Sequence, residues 1–115
     1  MYKLRAAGGV YTTAADMLRF YQALHSGKLL KPETVALISS QRVAAHSNHY
    51  GLGWVIRRAG EREYWEHSGG TNGYVSTVSW FPKEQTLLVL LSNFGFAEPG
   101  KLRSAAVELL FPAGK

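Results

Sequence analysis

Residues Trp65 to Tyr74 read WEHSGGTNGY. They set an ionisable imidazole, His67, and a hydroxyl, Ser68, directly before a Gly69-Gly70 pair, with Thr71 and Asn72 behind it. In an extended strand such a run exposes backbone N–H and C=O groups, and the glycines allow a guest to approach where a Cβ would collide. A peptide-like substrate can bind such an edge as an added strand. The N–H of Gly70 can point at a developing oxyanion, and His67 can donate a proton or, when charged, bind a carboxylate. The same residues also describe a flexible hairpin loop, Gly69 to Gly73, with a surface histidine beside it. On this stretch alone both readings stand.

The elements that must position these residues follow from spacing. Thr13-Ala14-Ala15-Asp16 has the form of a capping box, so a helix is expected to start there. Met17, Phe20, Tyr21 and Leu24 recur on one face, and Gly27 supplies the left-handed residue that ends the helix. Pro32 suits the first position of a second helix, with Glu33 near its positive end and Val35 and Ile38 buried, running to about Ser40. From Tyr50 the pattern becomes YGLGWVIRR, AGE, REYWEHS, two strands around a glycine-containing turn. Tyr74 to Phe81 and Thr86 to Asn93, joined by the polar turn Pro82-Lys83-Glu84-Gln85, make a second hairpin. Leu87 to Leu91 is apolar on both alternating sets, the pattern of an interior strand covered on both faces. Leu102, Ala105, Ala106 and Leu109 form a last helical stripe that can dock on the sheet, stopped by Pro112. The expected class is α+β: an antiparallel sheet with flanking helices, folded as one unit over residues 1–115.

Composition removes several functions. The formal charge of +5 would attract an acidic polymer, but the thirteen Lys and Arg are scattered and no nucleic-acid motif accompanies them, so no nucleic-acid partner is expected. The run Leu87 to Leu91 is too short to span a bilayer, and MYKLRAAGGV lacks the apolar region of a secretory signal. With no cysteine, disulfides and thiolate metal sites are excluded, while the redox compartment stays open. His46 and His49 form an i, i+3 pair without a third ligand, which reads as a surface loop, and no metal site is expected. His25 reads as complementing the C-terminus of its helix. Glu61, Glu63 and Glu66, near Arg57, Arg58 and Arg62, read as an exposed ion-paired hairpin, and Trp54, Trp65 and Trp80 as packing for the sheet.

The order of the segments carries more. AAGGVYTTAADMLRFYQALHSGKLL, YGLGW, HSGGTNGYVSTVSWFPKEQTLLVLLSN and the final helix together resemble the C-terminal part of the serine β-lactamase and penicillin-binding-protein superfamily, over nearly the whole chain. The resemblance is nearest to class C β-lactamase-like proteins, esterases and D-amino-acid-specific peptidases that carry a histidine in the third motif. That superfamily uses a serine nucleophile in S-x-x-K, a second motif of S-D-N or Y-x-N type, and K-T-G on a strand lining the site. His67-Ser68-Gly69 matches the third motif, with His for Lys and Ser for Thr. The resemblance implies that Gly70 N–H is an oxyanion donor and that Ser68 hydrogen-bonds the substrate carboxylate or the catalytic tyrosine region. It also implies that Thr71 and Asn72 border the acyl-group side. It implies no cofactor, a small-molecule or peptide-like acyl substrate, and a periplasmic or extracellular setting. Neither S-x-x-K nor Y-x-N occurs in this sequence. The chain is therefore expected to be a C-terminal part of a longer hydrolase, inactive alone, completed by an N-terminal half or by a self-associating partner. The alternative is a non-catalytic module that binds peptide or cell-wall fragments.

Overall fold

The computed structural model describes residues 7–40, 43–45 and 48–112. The Thr13 hydroxyl accepts the Asp16 backbone N–H at 3.1 Å and lies 3.0 Å from the Asp16 carboxylate, so helix α1 (Ala14–His25) begins at its capping box. Tyr21 and Leu24 are buried and Met17 packs beside them, while Phe20 remains half exposed. Gly27, at φ +80°, turns the chain toward α2 (Pro32–Ser40), where Val35 is buried and Ile38 packs on the core.

Six strands follow: β1 (Val43–Ala45), β2 (Asn48–Tyr50), β3 (Val55–Ala59), β4 (Arg62–Thr71), β5 (Tyr74–Phe81) and β6 (Thr86–Ser92). Each pairs antiparallel with the next, giving one sheet in chain order, and helix α3 (Pro99–Leu110) comes last. The α+β class is as expected, with more strands than the pattern suggested. The β1–β2 hairpin was hidden because three-residue strands are too short for alternation to register. His49 lies exposed in β2 opposite Ile56, so the loop expected around it is in part a strand; His46 lies outside the described residues.

The register Ile56↔Trp65↔Trp80↔Leu87 lays apolar side chains across one sheet face. Helices α1 and α2 cover it, with Tyr21 against Ile56, Trp65 and Trp80. The Tyr21 ring meets Trp54 edge-on at 5.7 Å. The opposite face buries Tyr64, Glu66, Thr77, Ser79 and Phe81. Phe111, just past α3, packs on Phe81 at 5.1 Å, and Arg62 lies 4.2 Å over the Phe111 ring.

Two expectations about this packing are corrected. Leu102 and Leu109 do not dock on the sheet: they are 59% and 83% exposed. The partly buried face of α3 instead carries Arg103, Ala106 and Val107, because the sheet offers it a carboxylate. Strand β6 is also not interior. It is the last strand of the described sheet, and its double apolar pattern reflects helices on both faces, α1 and α3, rather than lateral neighbours.

One contact fixes the entry to the site. A Cβ on Gly51 would lie 2.1 Å from the Ile38 carbonyl oxygen, which accepts the Leu52 N–H at 3.0 Å. Only glycine lets the YGLGW segment pass this close to the end of α2, and the residue carried directly before it is Tyr50.

Candidate active-site strand

Strand β4 has two halves. It pairs with β3 from Arg62 to Glu66 and with β5 from Trp65 to Thr71; beyond Val55↔Glu66, β3 ends its pairing and residues 67–71 keep only β5 as a partner. The edge that β3 leaves is unpaired among the described residues, and every residue from His67 to Tyr74 is exposed. Thr71 and Tyr74 close a two-residue turn, Asn72-Gly73, with Gly73 at φ +80°. The closing pair of such a turn hydrogen-bonds to itself, and strict alternation then directs the peptide N–H and C=O of Gly70 and Ser68 away from β5, to the open edge. The turn is backed by the loop after β6: a Cβ on Gly95 would come within 3.2 Å of the Gly73 Cα.

Neither Gly69 nor Gly70 is glycine for conformational reasons. Both lack positive φ. A Cβ on Gly69 would meet nothing within 4 Å, and one on Gly70 would make only ordinary contact, 3.5 Å from Val75 Cγ1. What their hydrogens leave is space along the edge. By alternation His67, Gly69 and Thr71 face the α1 side and Ser68 and Gly70 the α3 side, so the His67 and Ser68 side chains do not share a face. The predicted residues share the strand end and its free edge, with Asn72 at the tip.

Sequence reasoning missed two neighbours. Tyr50 Oη lies 3.1 Å from His67 Nε2, with the rings edge-on at 86°, while His67 Nδ1 donates to the Ser68 carbonyl at 2.9 Å. No local pattern gives this contact, because it depends on Gly51 passing the Ile38 carbonyl at the end of α2. The second is Glu66, which is 3% exposed and not part of an exposed hairpin. Its carboxylate pairs with Arg57, at 3.2 Å, and with Arg103 of α3. Arg58–Glu63 follows the expected hairpin pattern, whereas Arg62 pairs instead with Glu84 of the β5–β6 turn in a part-buried contact. The Glu66 partner from α3 lies 37 positions away, and no local pattern reveals it. From Ser68 to Pro82 no side chain is charged, so the edge is electrically neutral apart from His67.

His25 lies in the last turn of α1, as expected, and also packs against the sheet. Its ring stacks on Trp80 at 4.4 Å, and burial pushes its pKa below the ordinary imidazole value. The unfolded chain therefore binds more protons than the folded one between that lowered pKa and about 6.5. The contribution of neutral His25 is complete above pH about 6.5, is lost progressively as pH falls toward the folded pKa, and is flat below it. Thermal melts from about pH 7.5 down to about pH 5 should show a falling midpoint, and His25→Phe, which keeps a stacked ring, should flatten that fall. An equally steep fall in the variant would assign it to other groups.

Among the described residues no three His, Cys, Asp or Glu side chains come together as a metal site, and no helix is long and apolar enough to cross a membrane. A cavity of about 430 Å³ opens between α1 and the β5–β6 turn, lined by Leu18, Tyr21, His25, Trp80 and Leu87 among others; none of residues 67–72 borders it. The strand end is a wall, not an enclosed pocket.

Comparison with known proteins gives a consistent picture. The family model described as Beta-lactamase matches residues 1–110. A beta-lactamase of Yersinia enterocolitica is 26% identical across 86% of this chain, which spans 35% of that protein. Among solved structures, a penicillin binding protein from Bacillus halodurans superposes with a TM-score of 0.73 at 22% identity, over 87% of this chain and 31% of its own. A D-amino acid amidase from Ochrobactrum anthropi SV3, complexed with L-phenylalanine, superposes with a TM-score of 0.69 at 21% identity, over 86% of this chain and 31% of its own. The chain thus spans about a third of the length of each of these relatives.

Proposed function

Because this chain belongs to the Beta-lactamase family, we propose that it is the C-terminal part of a serine hydrolase and supplies the strand that binds substrate and the oxyanion in acyl transfer. The fold is that of a β-lactamase-family serine hydrolase. The observation that carries the proposal is the half-paired β4, with two glycines the backbone does not need lining an exposed, unpaired edge. In this reading a carbonyl substrate lies along residues 68–71. A serine from a segment outside this chain attacks the carbonyl carbon, and the Gly70 N–H donates to the oxygen as it gains charge. His67 handles a proton near the leaving group, Ser68 binds the substrate, and Thr71 and Asn72 border the acyl group. The substrate class is an ester, amide, D-peptide or β-lactam. No cofactor enters.

The share of each relative that is matched supports a part rather than a whole, as does β6, whose outer edge carries no charge from Thr86 to Ser92 although edge strands usually carry some protection. That edge is where the completing segment, or a second subunit, would pair. Fluorophosphonate or fluorescent-penicillin labelling tests the proposal: the 115-residue chain alone should form no adduct, and the same chain joined to a segment bearing S-x-x-K and Y-x-N should be acylated on that serine. An intact longer protein that never acylates removes the proposal. The second reading, a non-catalytic module, draws on the missing nucleophile and base; saturable binding of a D-Ala-D-Ala peptide without any acyl adduct in the longer protein would favour it.

A further inference from the structure

We infer that Tyr50 is a positioning residue that sets the tautomer of the neutral His67 ring at the strand edge; this rests on the reading of His67 as a site residue. A carbonyl oxygen can only accept a hydrogen bond, so the 2.9 Å contact from His67 Nδ1 to the Ser68 carbonyl places a proton on Nδ1. In the neutral ring that leaves Nε2 with a lone pair, and the Tyr50 hydroxyl 3.1 Å away is its donor. The two contacts together select one tautomer.

The phenol is held by a stiff frame. Tyr50 pairs with Val55, the following Gly51 donates to the Trp54 carbonyl at 2.7 Å, and Leu52 is tied to the end of α2. His67, in contrast, sits one residue past the last β3–β4 pair. Among the described residues, and apart from its contact with its own neighbour, the Tyr50 hydroxyl is the hydrogen-bond partner of its ring. Among the described residues no carboxylate pairs with it: adjacent Glu66 is turned to the other face and taken by Arg57 and Arg103. The consequence is chemical. A lysine at this position would be a fixed cation, whereas an imidazole held in the Nδ1–H form offers Nε2 to take a proton, with a hydroxyl beside it to hydrogen-bond whichever state results.

Long-range proton–nitrogen NMR correlation on the ¹⁵N-labelled 115-residue chain reads the tautomer directly. At about pH 8, above the ordinary imidazole range, the wild-type His67 ring should show a protonated Nδ1 and an acceptor-type Nε2. In Tyr50→Phe, which keeps the ring and the Ser68 contact and removes only the hydroxyl, the share of the Nε2–H form should rise measurably above wild type. A wild-type ring protonated on Nε2 overturns the inference, and so does a Tyr50→Phe spectrum identical to wild type. The wild-type measurement stands by itself if the variant fails to fold. Because the readout needs no nucleophile, its failure is separate from failure to acylate: an Nδ1–H ring in a protein that never acylates would keep the pair and remove the acyl-transfer reading.

Discussion

Replacing Glu66 with Ala should remove about 3–5 kcal/mol of folding stability, the range for breaking a buried ion pair by deleting one partner. The carboxylate is 3% exposed and is shared between Arg57 and Arg103, whose side chains are 36% and 18% exposed. Deleting it leaves two guanidinium groups facing each other, one of them largely buried under α3, with no counter-charge. Since small domains are held by roughly 5–15 kcal/mol in total, the variant should sit near the limit of folding. Urea titration gives the number: the midpoint should fall steeply at unchanged slope. Glu66→Leu with Arg103→Met separates charge from packing, because an apolar pair of similar volume should recover most of the loss. A loss under about 1 kcal/mol in Glu66→Ala would reduce the triad to the level of a surface salt bridge. The position matters as much as the energy. Glu66 is both the last β4 residue paired with β3 and the residue before His67, so α3 clamps the strand at the point where it becomes an open edge.

How far the sequence could be read depended on whether each cause was local. The Thr13–Asp16 cap, the burial of Tyr21 and Leu24 and the turns at Gly60 and Gly73 are set by residues within a few positions of one another, and all were legible. For His67-Ser68-Gly69 it was the family resemblance, not local pattern, that implied a strand: the residues alone allowed a hairpin loop over Gly69 to Gly73, whereas β4 runs on to Thr71. What escaped reading was set across the chain. The inward face of α3 is decided by Arg103 meeting Glu66, and hydrophobic periodicity points the other way, toward Leu102 and Leu109. The burial of the His25 ring depends on Trp80, a strand residue 55 positions later. Likewise Tyr50 meets His67 only because Gly51 passes under Ile38, a contact between elements that no window of sequence contains. Strand β6 misled for a related reason: two covered faces and two lateral neighbours produce the same apolar run.

If the proposed acyl-transfer role holds, then in this chain joined to a segment bearing the nucleophile Gly70→Pro should slow acylation by about 10²–10³-fold, the cost of one lost oxyanion donor, while leaving the strand in place. Proline removes the N–H and nothing else that the sheet uses, because the alternation set by Thr71↔Tyr74 turns that N–H away from β5. Proline is tolerated where an edge position directs its N–H outward, and Gly69 before it is already extended, as the residue before proline prefers. Gly69→Ala is the complementary probe. Its Cβ meets nothing within 4 Å, so it should gain about 0.5–1 kcal/mol from the strand preference of Ala over Gly. The same methyl group then stands where the proposed substrate would lie against the backbone, and KM should rise. A plain hairpin predicts the first effect without the second. Acylation kinetics and a melt of each variant decide between them: Gly70→Pro acylating at the wild-type rate in a folded protein would take the oxyanion role from this strand, whatever the family resemblance implies.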